Sequence, residues 1–468
     1  MPMTAGFAGA VRRTLLVLAL AASCGAAPAG AAVAVGDGAA ATGETGADLA
    51  GLRIALDQLV ARARPGGGWE FERRAGERVQ PHTDPLRWAE RLAAPFGLAD
   101  WDLIVVRSPG TPAAILGLVA GYHLTGDDRY RDAAVRAADL LATVQMRSGG
   151  WFSEMPVRGA AAVWWFKWSV FRTAIDDDVT PGAIRALLAV WRLTGAPRHR
   201  AAAERGIAFL LDRQLADGAW PLVARPRWKQ WIYRSFEDRP TLNDGATTQA
   251  IVTLLAAAGA LDRPELIAAA RRGGDWIVGA QHAPPQAGWA QQYDETGAPV
   301  PARRYERVAL AAWETRYALT ALVALADATG ERTYCAPVGP AVRWLVQSQI
   351  APGCWARFYE IGSNRPLYFD ERRRAVATPE EAHQPYDWTG EFGIPHLLER
   401  LGVDPPGVAA LAVRPRVPGD PGLCPGAAAA GFDPVVASNP RRVIAWAGSL
   451  AAAATPEPAT ICALSSGG

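Results

Sequence analysis

A net excess of charge of either sign is missing from this 468-residue chain: 48 Lys and Arg against 46 Asp and Glu leave a formal net charge of +2. A generic nucleic-acid binder or a protein of acidic membrane surfaces is ordinarily far more basic. Any affinity for a polyanion must therefore come from local clusters of arginine. Glycine and proline, 47 and 36 residues, stay below the share that marks a disordered or fibrous chain. Cysteine is scarce at five residues, and its spacing matches no zinc pattern. Beyond the N-terminus no apolar run is long enough for a transmembrane helix. With half of the residues hydrophobic, a sizeable core is expected.

The N-terminus reads as a secretory signal over residues 1–33. Arg12 and Arg13 form the positive region, Thr14 to Ala22 the apolar stretch, and Ala29-Gly30-Ala31 a small-residue cleavage site. Cys24 sits in a degenerate lipoprotein box, with simple cleavage as the expected outcome. The mature chain is expected to be periplasmic or extracellular. An oxidising compartment permits disulfides, and Cys335–Cys354 is the expected pair, with two buried free thiols as the alternative.

What is abundant is tryptophan, at 18 residues against 12 Phe and 10 Tyr. Gln145 to Trp151, Gln214 to Trp220 and Gln349 to Trp355 share the form Q-x-x-x-G-x-W. Gln281 to Trp289 is a looser copy, and Gly66-Gly67-Gly68-Trp69 a degenerate one. The tryptophans are 82, 69, 69 and 66 residues apart, and such a period marks a repeat architecture. Each repeat holds two helical patterns: 112–124 with 130–145, 181–193 with 198–214, 246–258 with 264–281, and 313–328 with 337–349. Thr111 and Thr180, each before a proline, are expected as N-caps. The resulting fold class is all-α, an (α/α) toroid of helix hairpins over residues 46–401. Residues 402–468, rich in Pro, Gly and Ala, are expected as a flexible tail. The tryptophans of the repeat are expected to anchor turns, while Trp164, Trp165, Trp168, Trp228 and Trp231 remain candidates for stacking on a sugar.

Connections within pairs are short and those between pairs long, so the long loops emerge on one rim and place the site there. Two constellations occupy it. Asp176-Asp177-Asp178 and Asn243-Asp244-Gly245 precede equivalent inner helices. Capping alone needs one acid, whereas adjacent carboxylates repel unless they share a cation, and hard oxygen ligands suit Ca²⁺. The second constellation is cationic: Arg303, Arg304 and Arg307 in one loop, then Arg357, Arg365 and Arg372–Arg374 in the next, interleaved with Tyr305, Phe358 and Tyr359. Guanidinium forks bind carboxylates and aromatic faces stack on pyranose rings, so an acidic sugar chain is the expected substrate class. A solvated loop with internal ion pairs is the plainer alternative. On a uronic acid polymer, cations around the C6 carboxylate acidify the C5 proton and favour β-elimination. Hydrolysis would need a positioned pair of carboxyl groups, which Asp176–Asp178, Asp244 and Asp294 leave open.

Four segments in order, TAIDDDVT (173–180), TLNDGAT (241–247), WAQQYDETGAPVPARRYE (289–306) and CWARFYEIGSNRPLYF (354–369), resemble the pectate lyases of polysaccharide lyase family 10. The resemblance extends over roughly Leu52 to Leu401. It implies an (α/α) toroid, Ca²⁺, and cleavage of polygalacturonate by β-elimination with an arginine as base. It places the calcium ligands on Asp176, Asp177 and Asp244, with Asp177 where the family usually has Asn. The base falls on Arg303 in the A-R-x-Y-E run, with the neighbouring Arg304 as the alternative, and substrate binding on Arg304, Tyr305, Arg357, Arg365 and Arg372. Around Arg372 the sequence departs from the family's G-R-D-G. A guanidinium is a base only when neutral, so burial, calcium and the adjacent arginines are expected to disfavour its charge, and the activity optimum is expected to be alkaline. Competing readings are a glycoside hydrolase, an inactive acidic-glycan binder, and a terpene cyclase, whose D-x-D-D motif fails here at Val179. A monomer that binds no nucleic acid and spans no membrane is expected.

Overall fold

The computed structural model describes residues 43–69, 103–157, 173–225, 235–383, 386–403, 444, 447 and 459–464. The signal region and the five candidate stacking tryptophans lie outside them. The helices run α1 (Gly43–Arg62), α2 (Thr111–Thr125), α3 (Asp128–Thr143), α4 (Val179–Thr194), α5 (Pro197–Arg213), α6 (Ala246–Leu261), α7 (Leu266–Gly279), α8 (Ala312–Thr329), α9 (Val338–Gln347) and α10 (Ile394–Arg400). The four expected pairs are present within a few residues of their expected ends; α1 and the short α10 are additional. The architecture is the (α/α) toroid. Inner helices α2, α4, α6 and α8 pack in succession, and each carries its partner α3, α5, α7 or α9 outside it.

Composition explains which helix goes inside. In α6 every residue but Gly259 is buried, as is the whole of α4 from Val179 to Val190. An outer helix buries one stripe only, as α3 does with Tyr130, Ala133, Ala134, Ala137, Ala138 and Leu141, the spacing of an amphipathic surface helix.

The tryptophan repeat is the stitching of this ring. The indole N–H groups of Trp69, Trp151, Trp220, Trp289 and Trp355 donate to the carbonyls of Leu59, Leu141, Leu210, Ile277 and Leu345 at 2.7–2.9 Å. These carbonyls belong to the last turns of the helices just completed. The backbone N–H groups of the first four donate to Thr111, Thr180, Thr247 and Thr315 Oγ1 at 3.0–3.1 Å, near the starts of the next inner helices. Thr111 and Thr180 are therefore not N-caps. Gly110 and Asp178 hold those positions, and the hydroxyls serve the preceding tryptophan instead. The glutamines extend the stitch outward: Gln145 donates to Gly149 O at 2.6 Å and Ala202 O at 2.9 Å, and Gln214 to Gly218 O and Ala269 O at 2.8 Å. The glycine of the motif is required by both conformation and space. Gly149 has φ +96°, and a Cβ there would lie 2.5 Å from Arg205 O.

The rim loops pair through short strands that the sequence pattern does not reveal at two to four residues each. β1 (Leu103–Val105) pairs with β2 (Glu154–Pro156), and β3 (Thr173–Ala174) with β4 (Val223–Ala224). A five-stranded sheet has the order β11 (Ala375–Val376), β10 (Pro366–Phe369), β9 (Phe358–Tyr359), β6 (Leu310–Ala311), β5 (Trp289–Ala290). A third sheet has the order β12 (Thr389–Gly390), β8 (Cys354–Ala356), β7 (Gln349–Ala351).

Much of the expected tail lies outside the described residues, but its described end is docked. Cys335 is bonded to Cys462 rather than to Cys354, and Cys354 is itself disulfide-bonded. Thr460 Oγ1 donates to Asp327 Oδ1 at 2.7 Å, Leu464 N donates to Leu401 O at 2.8 Å, and Ile444 and Ala447 are buried. The pairing of 335 with 354 rests on nearness in sequence, whereas the fold brings the distant Cys462 to the turn between α8 and α9. The bridge spans 127 residues, and losing a long-loop disulfide typically costs about 2–5 kcal/mol. Cys462→Ser is expected to lower the urea midpoint accordingly while leaving the far-ultraviolet circular dichroism unchanged below the transition.

Candidate active site

A run of backbone hydrogen bonds fixes neighbouring rim loops against each other. Ser108 N donates to Asp177 O at 2.8 Å, and Asp177 N to Asp244 O at 3.0 Å. Leu242 N donates to Gln291 O at 2.9 Å, Ala312 N to Arg357 O at 3.0 Å, and Arg357 N to Trp388 O at 2.7 Å. The two acidic loops are thus adjacent, as equivalent loops of neighbouring repeats should be. Asp177 and Asp244 both adopt left-handed backbone, φ 49° and 50°, which Asp tolerates better than most residues.

Arg303 reaches this junction. Its Nη2 donates to Asp244 Oδ2 at 2.6 Å and its Nη1 to Glu306 Oε1 at 2.8 Å, while its backbone N donates to Glu306 Oε2 at 2.9 Å. Glu306 is completely buried. Burial alone would raise the Asp244 carboxyl, but Arg303, Arg357 and Arg107 outweigh it and hold it below the usual carboxylate range. For Arg303, burial favours the neutral form, and the charges of Asp244 and Glu306 overcome it and drive the guanidinium well above its ordinary value. The expectation that adjacent arginines would loosen its proton is corrected here. Arg304 and Arg307 point outward and are exposed, so the carboxylates decide the sign.

Arg357 is a buried cation. Its guanidinium carbon lies 4.5 Å from the Trp313 ring and 4.6 Å from the Tyr386 ring. Its Nη2 is 3.5 Å from Glu314 Oε1, and its buried Nε–H has no partner among the described residues. Gln291 Nε2 ties Glu314 Oε1, at 3.1 Å, to Asn243 Oδ1, at 3.3 Å. Burial opposes charge on Arg357, and Tyr386, Glu314 and Asp244 restore it, raising its pKa. Tyr305 stacks on His383 at 4.1 Å and meets the edge of Tyr386 at 4.9 Å.

Other expected site residues stand elsewhere. Arg365 is 72% exposed and pairs with Glu360 of its own turn. Arg372 is exposed, with only its backbone N–H engaged, to Asp370. No hydrogen bond or ion pair joins either to Arg303, Arg357 or Asp244. Asp178 turns inward to the buried Arg185, its Oδ2 2.5 Å from Nη2. Asp294 caps its own turn, accepting from Thr296 N at 2.9 Å and Ala298 N at 3.0 Å. The acids open to the rim are Asp176, Asp177 and Asp244, all partly exposed. They are hard oxygen donors on two bonded loops, suited to a hard cation. Among the described residues, however, no group of three or more such side chains closes as a metal centre. Any coordination sphere here would need further oxygens from solvent or ligand.

Residues 153–351 match the family model described as Pectic acid lyase. The matched stretch carries Asp176, Asp177, Asp244, Arg303, Glu306 and Glu314; Arg357 and Tyr386 lie beyond it. The chain is similar to the family 10 polysaccharide lyase from Cellvibrio cellulosa, with 22% identity, a TM-score of 0.46, and coverage of 62% of this chain and 97% of that one. A mutant of that lyase in complex with trigalaturonic acid matches at the same identity and TM-score. The cellobiose 2-epimerase from Bacillus thermoamylovorans is 11% identical, with a TM-score of 0.46 over 68% of this chain and 77% of that one. No curated protein matches. No helix among the described residues is long and apolar enough to cross a membrane.

Glu306, Glu314, Gln291, Trp313 and Tyr386 were not singled out in the sequence. For Glu306 a signal existed, since it ends the A-R-x-Y-E run that contains Arg303. A carboxyl depressed by folding stabilises the native state in full above its unfolded value, near pH 4, and that contribution disappears as pH falls through the folded value. Without added metal, urea midpoints from about pH 6 down to pH 3 should therefore fall less steeply in Asp244→Asn than in the wild type.

Proposed function

We propose that the chain is a secreted, calcium-dependent pectate lyase that cleaves polygalacturonate by β-elimination. The observation that carries the reading is the pairing of Arg303 with Asp244 at the junction of the acidic rim loops, with Arg357 in the same charged group of residues. The family match over residues 153–351 supports the reaction class. The Cys335–Cys462 disulfide suits an oxidising compartment, in keeping with the N-terminal pattern.

Asp176, Asp177 and Asp244 would hold Ca²⁺, whose charge would help neutralise the uronate carboxylate. Arg357 supplies a fixed cation for that carboxylate, held close to two aromatic rings and with an unspent Nε–H donor. Arg303, once neutral, takes the C5 proton. The electrons of the C5–H bond form the C4–C5 double bond, the C4–O4 bond breaks, and O4 leaves with a proton from solvent. In the ion pair with Asp244 the guanidinium is held charged, so base action requires that Arg303 first lose that partner.

A hydrolase reading is weaker on the same residues. Asp178 and Asp294 are committed to Arg185 and to a turn, so a hydrolase would have to draw both acid and base from Asp176, Asp177 and Asp244.

Purified protein acting on polygalacturonate is expected to raise ultraviolet absorbance from unsaturated uronide ends, and to lose the signal with a chelator. New reducing ends without absorbance would mean hydrolysis. Arg303→Ala is expected to lower kcat about 10²–10⁴-fold, the usual worth of a general base. Only the neutral fraction of Arg303 abstracts a proton, and its carboxylate partners push its pKa upward. The rate is therefore expected to climb through the alkaline range; an optimum below about pH 6 would exclude an arginine base.

A further inference from the structure

We infer that Tyr386 is the positioning residue that locks the base arginine and the carboxylate-binding arginine into one rigid unit; this rests on the roles of Arg303 and Arg357 proposed above. Tyr386 engages both modules at once. Its ring covers the Arg357 guanidinium at 4.6 Å. Its hydroxyl donates to Glu306 Oε1 at 2.8 Å, the same oxygen that receives Arg303 Nη1. Glu306 Oε2 receives the Arg303 backbone N–H, so Glu306 grips Arg303 by both side chain and main chain. No hydrogen bond links Arg303 to Arg357 directly, as expected of two like charges, and Tyr386 is the side chain that touches the surroundings of each.

Tyr386 is well placed to transmit position because it is itself held. Trp388 N donates to Tyr386 O at 3.0 Å, and Arg357 N donates to Trp388 O at 2.7 Å. The rings of Trp388 and Tyr305 lie 4.8 and 4.9 Å from that of Tyr386. The residue comes from the last rim connection, Arg357 from the connection's beginning, and Arg303 with Glu306 from the preceding one. Removing the C5 proton demands that the carboxylate anchor and the base keep a fixed separation, and a displacement of about 1 Å is enough to cost orders of magnitude in rate. A hydroxyl that bridges the two modules supplies that constraint without touching substrate.

The test uses the full chain and the unsaturated-product assay, with kcat and KM on polygalacturonate. Tyr386→Phe keeps the ring over Arg357 and removes only the bond to Glu306. It is expected to lower kcat about tenfold, the worth of one charge-assisted hydrogen bond, with KM nearly unchanged and thermal melting close to wild type. Tyr386→Leu also removes the ring and is expected to raise KM in addition. If the hydroxyl acts through Glu306, Tyr386→Phe combined with Glu306→Gln is no slower than Glu306→Gln alone. A Tyr386→Phe variant with wild-type kcat, or a double variant whose loss is the product of the two single losses, overturns the assignment while the lyase reading stands. A wild-type chain that forms no unsaturated product removes the lyase reading and this inference with it.

Discussion

The buried tryptophan that precedes each inner helix, Trp69, Trp151, Trp220 or Trp289, joins that helix to the one before it. Its indole N–H satisfies a carbonyl in the last turn of one helix, and its backbone N–H satisfies a threonine hydroxyl at the start of the next inner helix. Both bonds are buried, so breaking either leaves an unpaired polar group away from water, at about 1–3 kcal/mol each. The ring also fills space made for it by glycine: a Cβ at Gly273 would lie 2.7 Å from Trp220. Because the clamp recurs with the repeat, every long connection leaves the same rim at an equivalent point. Adjacency of the loops carrying Asp177 and Asp244 follows from this, and so does the reach of Arg303 to Asp244.

On that frame the site is an electrostatic balance. A partly exposed guanidinium, Arg303, and a buried one, Arg357, face three buried or half-buried carboxylates, Asp244, Glu306 and Glu314. Burial would strip the charge from each group in isolation. Mutual pairing restores it for Asp244, Arg303 and Arg357. Glu314 is the exception: burial outweighs Arg357 and leaves its carboxyl raised. The difference matches the geometry, since Arg303 bonds Asp244 at 2.6 Å while Arg357 stands 3.5 Å from Glu314. Arg303 in this arrangement is clamped and charged, and Arg357 has donor capacity to spare. The first property suits a group released when its carboxylate partner is engaged elsewhere. The second suits a group waiting for a carboxylate.

Helix pairing, the inner and outer order, and the emergence of the long connections on one rim were legible in the sequence because they depend on local periodicity, loop length and the spacing of Trp and Gln. The anchoring role of the repeat tryptophans was legible for the same reason. Arg303, Arg357, Asp176, Asp177 and Asp244 stood out because they sit in compact charged runs. The partners of those residues did not. Glu314 and Trp313 lie at the start of a helix and read as ordinary helix residues, while Tyr386 lies 80 residues from Glu306, the group it bonds. The direction of the Arg303 shift was misread because neighbours in sequence, Arg304 and Arg307, were weighed in place of neighbours in space.

The same division separates what the chain's order of residues determined from what only its tertiary structure decided. Periodicity, glycine at forced turns and threonine or proline at helix starts act within a few residues, so they set the repeat and the rim. The Cys335–Cys462 bridge and the pairing of Arg303 with Asp244 join residues that only the folded chain brings within bonding distance, and the turn of Asp178 inward to Arg185 depends on which side of its helix is buried. Charges and thiols select partners by distance in space, and along the chain that distance is not written.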